Sequence, residues 1–177
     1  MSEAFHSSSS TFSINRSMPR VSNCSALPVR QLVTSRRWDI AVKHRLFCHY
    51  LHGGDPDAER VYRWTIEKRS GHRMAAGLAT DKWKKSVDHY LISAKALLSA
   101  MAREGFDPRF AVPIDPDGEL LDGSHRVACA LALEVEEVPV SPQQRYVWAP
   151  AWGYEWFVEN GMGDLESLRE DWRGLVS

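Results

Sequence analysis

Cysteine is scarce in this chain: Cys24, Cys48 and Cys129 are an odd number at wide spacing. No two of them have the spacing of a metal-ligand pair or of a disulfide framework, which points to a reducing compartment and a cytoplasmic protein. The seven histidines are scattered and form no zinc pattern. No apolar run approaches the length of a membrane span and the first residues hold no apolar signal core, so no membrane partner is predicted. An excess of charge is also missing, because 22 basic and 23 acidic residues leave a net charge of −1. Such a balance gives no general pull toward nucleic acid or anionic lipid. Basic residues gather locally at 30–45 and 82–85, which reads as a solvated face or a phosphate site rather than a DNA track.

What is present suits one soluble domain. The 177 residues are 44% hydrophobic and 25% charged, enough for a core without disulfides or metal. Residues 1–25 carry a serine run and almost no core-forming side chains, which predicts a disordered tail. Glu3 and the lack of an amphipathic face oppose a transit peptide, and Met18 is an alternative start. The domain is expected over 26–177, opening near Leu27-Pro28-Val29 as a short strand. Nothing in the sequence sets the oligomeric state.

The most informative run is Leu121-Asp122-Gly123-Ser124-His125-Arg126, followed by apolar residues to Leu133. Upstream, Val87, Leu91, Ala94, Leu98 and Met101 recur at helical spacing, and Gly105 follows as a C-terminal cap. Residues 110–114 read as a short strand, confined by Pro113 to an edge or a strand end. Asp115-Pro116-Asp117-Gly118 is a turn by its chemistry, Glu119-Leu120-Leu121 a second short strand, and Glu137-Val138-Pro139-Val140 another. This order predicts a compact α/β (α+β) domain with a small mixed sheet and flanking helices. A glycine lets the backbone approach a ligand, and a helix N-terminus offers free N–H groups to a phosphate. His125 and Arg126 would add cationic donors.

Residues 87–140, with this strand–turn–strand, Gly-x-His-Arg loop, helix and "VPV" strand, resemble the core of the ParB/sulfiredoxin superfamily. The resemblance implies that Gly123, Ser124, His125 and Arg126 cradle nucleotide phosphates. Sulfiredoxins carry a nucleophilic cysteine where this chain has Ser124, and Cys129 is no substitute, which argues against sulfinic acid reduction. A single Arg126 and only 37 residues after Val140 leave no room for the helix-turn-helix of the DNA-partition branch. The chain is more similar to the small-molecule kinase-like branch. It also resembles ParB-like proteins of surface-polysaccharide gene clusters, which pair Arg-x-Asp-x-x-x-Lys with a later Asp-Gly-x-His-Arg.

The first half of that pair is Arg37-Trp38-Asp39-Ile40-Ala41-Val42-Lys43. On a helix, Asp39 and Lys43 share a face one turn apart. The functional reading has Asp39 hold Mg²⁺ or act as base while Lys43 and Arg37 neutralise phosphate. The alternative is an ordinary surface salt bridge on an amphipathic helix packed through Ile40, Phe47 and Leu51. Asp122 is either a base and Mg²⁺ ligand or a helix cap, Ser124 a phosphate ligand or a cap, and Arg126 a phosphate fork or an ion pair with Asp122.

Asp55-Pro56-Asp57 opens a helix expected to end near Arg69, with 69–78 as a loop able to act as a lid. Gly71-His72-Arg73 echoes the main motif inside that loop. The C-terminal wrap, 146–177, is aromatic-rich. Tyr146, Trp148, Tyr154, Trp156 and Trp172 are read mainly as closing the core, with Trp152 or Tyr154 as the exceptions that could stack a base or sugar. A last helical pair is expected around Glu155 to Phe157 and Asp164 to Trp172.

The resulting expectation is a Mg²⁺-dependent phosphotransferase using ATP or CTP on a small hydroxylated acceptor, a sugar or amino acid. Two other classes stand beside it: a nucleotide-controlled switch without kinase activity, and a ParB-like nuclease or DNA-binding protein.

Overall fold

In the computed structural model, residues 25–75, 84–144 and 152–177 are described, with side chains given throughout except at 71–75. Residues 1–24 of the expected tail, the far end of the expected lid, Tyr146 and Trp148 lie outside the described residues, and Ser25, expected in the tail, opens the first strand.

Strand β1 (Ser25–Pro28) leads into helix α1 (Asp39–His52), followed by α2 (Ala58–Ala75) and α3 (Val87–Glu104). Strand β2 (Val112–Ile114), helix α4 (Ser124–Ala132) and strand β3 (Glu137–Pro142) form the centre of the chain. Helices α5 (Tyr154–Glu159) and α6 (Leu165–Val176) close it. The sheet order is β1-β3-β2, with β1 antiparallel and β2 parallel to β3. This is the small mixed sheet with flanking helices that the sequence predicts. No helix among the described residues is long and apolar enough to cross a membrane.

Pro113 sits on edge strand β2, where its missing N–H removes no interior bond. β3 is central, and its Val138 and Val140 are buried while Glu137, Pro139 and Ser141 are not, the period-two pattern of a strand with one covered face. Helix α3 spans the expected residues, buries Leu91, Ala94, Leu98 and Met101, and is capped by the Ser86 side chain and by Gly105 at φ +75°. α1 is the hub and packs on α4, α2 and α6.

Four expectations need correction. The strand expected over 110–114 is shorter, because Pro108–Phe110 forms a 3₁₀ turn started by Pro108 and the strand begins at Val112. Glu119–Leu121 is no strand. Only Leu120 bridges Ile114, because the chain pairs briefly (Asp115 N–H to Glu119 O, 3.0 Å; Leu121 N–H to Pro113 O, 3.0 Å) and then turns away at Gly123. The domain's first strand ends at Pro28, and Val29 already belongs to a 3₁₀ turn. Helix α2 continues to Ala75, so Gly71-His72-Arg73 is helical and the part of the lid at 69–75 does not exist. The reason is the buried stripe Ala58, Val61, Tyr62, Thr65, Ile66, whose next step at helical spacing is the half-buried Arg69, drawn toward Asp39.

The aromatic C-terminal segment wraps the core as expected. Trp172 stacks on Trp38 at 5.3 Å, Tyr154 meets the same ring at 5.0 Å, and Phe157 is fully buried. The local basic density is largely used internally: Arg30 donates to the last carbonyls of α6, at Gly174 and Leu175, and Arg45 binds Asp55 and Ser167.

Candidate functional site

Asp39 opens α1, where the helix dipole favours a carboxylate, and Lys43 follows one turn later on the same face. That face turns inward against α4, so the pair is no surface salt bridge: Asp39 is 0% and Lys43 1% exposed. Lys43 Nζ donates to Asp39 Oδ2 and to Ser124 Oγ, the latter at 2.7 Å. Arg37, also buried, forks onto the same carboxylate, with Nε to Oδ1 at 2.8 Å and Nη2 to Oδ2 at 3.1 Å. Its Nη1 donates to the Leu120 carbonyl at 2.7 Å, which ties the start of α1 to the loop entering α4.

The missed member is Arg69, from α2. Its Nη1 lies 3.6 Å from Asp39 Oδ2, and its guanidinium lies 3.6 Å from the Trp152 ring centroid. Arg69 Nε is buried and meets no acceptor among the described residues. Trp152 also faces Arg37, at 5.4 Å, and its backbone pairs with Arg36 and Trp38. Three cations therefore surround one carboxylate, leaving an excess of positive charge at the start of α4.

The energetics follow from that imbalance. Burial would raise the Asp39 carboxyl, but Lys43, Arg37 and Arg69 together hold it well below the usual carboxylate range. Burial, reinforced by Arg69 and Arg37 against the pull of Asp39, pushes Lys43 down to about 7. Burial also lowers Arg69 from its ordinary value.

α4 begins at Ser124 with Gly123 as its flanking residue, and no side chain caps it and no acid stands in its first turn. Asp122 is thus not the cap; its side chain is exposed and lies 3.9 Å from Arg126. His125 hydrogen-bonds the Tyr62 hydroxyl at 2.7 Å. Burial, then the charges of Lys43, Lys84 and Arg69, hold it well below the usual histidine range, so it is a neutral group and not the cation expected.

Arg126 differs most from its sequence reading. Its Nη1 donates to the carbonyls of Phe110 and Ala111, and its guanidinium folds over Gly123, where a Cβ would come within 2.7 Å of it. The glycine's φ of +92° and the close approach serve this internal clamp rather than a ligand. On its outer side Arg126 borders a groove of about 430 Å³ lined by Leu97, Met101, Phe106 and Phe110 and rimmed by Glu104, Asp107 and Arg109.

The structure thus brings Arg37, Asp39, Lys43, Ser124 and His125 together and sets Asp122 and Arg126 apart. A protein-held Mg²⁺ does not fit these residues. Both Asp39 oxygens are occupied by cations, Asp122 is exposed at the clamp, and no group of three metal-ligating side chains occurs among the described residues. Cys129 is buried and pushed up to about 12, an inert core thiol.

No model of a known protein family matches the chain, and no curated protein and no solved structure does either.

Proposed function

We propose that this chain binds the phosphates of ATP or CTP at the start of α4 and transfers a phosphoryl group to a small hydroxylated acceptor, a sugar or amino acid. One observation carries the reading: Arg37, Lys43 and Arg69 converge on one carboxylate beside a helix N-terminus with no side-chain cap among the described residues, and the buried Arg69 Nε–H meets no acceptor among them. An anionic phosphoryl group would satisfy that donor, meet the free N–H groups of α4 and offset the charge excess. Mg²⁺ enters as part of the Mg–nucleotide substrate.

The resemblance to the ParB/sulfiredoxin superfamily supports the same place in the chain, since the loop it assigns to nucleotide phosphates contains Ser124 and His125. In phosphoryl transfer, positioning and charge stabilisation carry most of the catalysis, which is what a fixed cationic cluster supplies. Arg69 and the Ser124–His125 amides hold the phosphates, Asp39 positions Lys43 and Arg37, and Trp152 fixes Arg69. A cytoplasmic location, where nucleotides are abundant, goes with this reading.

The test is to incubate the full chain with Mg–ATP or Mg–CTP and pools of sugars and amino acids, following nucleoside diphosphate and phosphorylated acceptor by mass spectrometry. The proposal expects an acceptor-dependent phosphorylated product that is lost in Arg69→Met. Nucleotide binding without any product from either pool would favour the switch class instead.

A further inference from the structure

The contact between Ser124 and Lys43 is of a kind a phosphate site does not require. Lys43 reaches across from α1 to α4 with Nζ 2.7 Å from the serine Oγ, and both residues are buried, Lys43 more completely than Ser124. A phosphate-binding lysine points its ammonium at the ligand, whereas this one is turned onto a hydroxyl and braced from behind by Asp39. Serine and lysine at hydrogen-bond distance, with the amine oriented by a third group, are the arrangement of a nucleophile and its general base. Ser124 also stands at the first position of α4, where the positive end of the helix dipole stabilises a developing alkoxide.

From this geometry we infer that Ser124 is a nucleophile, activated by Lys43, that accepts the phosphoryl group before the small acceptor does. The inference rests on the nucleotide reading above. Ser124 Oγ attacks the γ-phosphorus, and the Oγ–P bond forms as the bond to the β–γ bridging oxygen breaks. The nucleoside diphosphate leaves with that electron pair, and the Oγ proton passes to the neutral Lys43 amine. The acceptor hydroxyl then attacks the phosphoserine and releases its proton to water, while the departing seryl oxygen recovers a proton from the Lys43 ammonium. Atoms and charge balance, and no co-reactant beyond nucleotide and acceptor is needed.

The groups facing Lys43 fit the task. Asp39 and Arg37 lie on its own side, Arg69 comes from α2, and Ser124 and His125 come from α4. Burial, helped by the two arginines and opposed by Asp39, keeps the amine available in its neutral form near neutral pH, and the Asp39 hydrogen bond fixes its direction. Arg37 and Asp39 are positioning residues here, because neither touches the reacting atoms.

The experiment uses the full chain with γ-labelled Mg–ATP and Mg–CTP and no acceptor, quenched in acid and mapped by peptide mass spectrometry, beside calorimetric binding of the same nucleotides. One phosphoryl group on Ser124 is expected in the wild-type chain that binds nucleotide, absent in Ser124→Ala and reduced at least tenfold in Lys43→Met. Binding retained with Ser124 unlabelled, and acceptor phosphorylation unchanged in Ser124→Ala, overturns the inference and leaves the nucleotide reading standing. No binding of either nucleotide removes that reading first.

A second measurement is independent of nucleotide. In Ser124→Cys, alkylation by iodoacetamide as a function of pH should reveal a thiolate forming well below the ordinary cysteine range, and adding Lys43→Met should return it to that range. An ordinary profile in Ser124→Cys contradicts the pairing.

Discussion

Lys43 on α1 and Ser124 at the start of α4 are joined by a 2.7 Å hydrogen bond in the interior, and Asp39 holds the same lysine from the opposite side. This link makes the packing of α1 on α4 a chemical contact as well as an apolar one. Its consequences can be measured in stability as well as in activity.

Removing the carboxylate leaves Arg37, Lys43 and Arg69 facing one another without their counter-charge. Asp39→Ala should therefore destabilise the fold by about 3–5 kcal/mol, the usual cost of breaking a buried ion pair from one side. The urea midpoint reads this directly. A midpoint within error of wild type would mean that Asp39 is not the counter-charge of Arg37, Lys43 and Arg69.

Lys43 gives stability a specific pH dependence. Its value in the fold is about 7, against an ordinary 10.5. Between those values the unfolded chain holds a proton that the folded chain lacks, so stability rises with pH across this window and the slope vanishes below it. Unfolding by urea should show wild type gaining on Lys43→Met between about pH 7 and about pH 10. Parallel curves for the two proteins would contradict the neutral buried amine.

Gly123 is constrained twice, by a φ of +92° and by Arg126 lying where a Cβ would go. Gly123→Ala should cost about 1–3 kcal/mol, the range for a residue held in a sparsely populated backbone region. Adding Arg126→Ala removes the steric part only, so the double variant should lose less than the sum of the two single losses. A Gly123→Ala protein as stable as wild type would show that this loop relaxes freely.

Much of this was legible in the sequence, and the failures have physical causes. The α1 pair was visible because helical spacing places Asp39 and Lys43 together, and the start of α4 because a glycine and a polar run precede an apolar stretch. That the pair is buried was not visible, since an i,i+4 salt bridge looks the same on either face. Arg69 was missed because Ser70-Gly71 reads as the end of a helix; the Ala58, Val61, Tyr62, Thr65, Ile66 stripe is the signal that would have placed it on the buried face. The Arg126 clamp was not legible because its acceptors are the backbone carbonyls of Phe110 and Ala111, which leave no trace in side-chain chemistry, whereas its pairing with Asp122 was one of the two readings the sequence offered. The Trp152 exception, in contrast, lies against Arg69 and Arg37.

Arg126 separates the two accounts of the motif. As a clamp on the chain entering β2, it should be a stability residue: Arg126→Ala should cost about 1.5–3 kcal/mol, the range for hydrogen bonds from a charged donor. Nucleotide affinity should stay within a few fold of wild type. Thermal unfolding and binding measured on the same preparation check both halves.

The most direct test of the central claim is calorimetric titration of Mg–ATP and Mg–CTP into wild type, Arg69→Met and Arg126→Ala. The account predicts saturable binding of one nucleotide by wild type, weakened at least tenfold, about 1.4 kcal/mol, in Arg69→Met and nearly unchanged in Arg126→Ala. No binding to wild type, or a loss confined to Arg126→Ala, would contradict a phosphate site built on Arg37, Lys43, Arg69 and the start of α4.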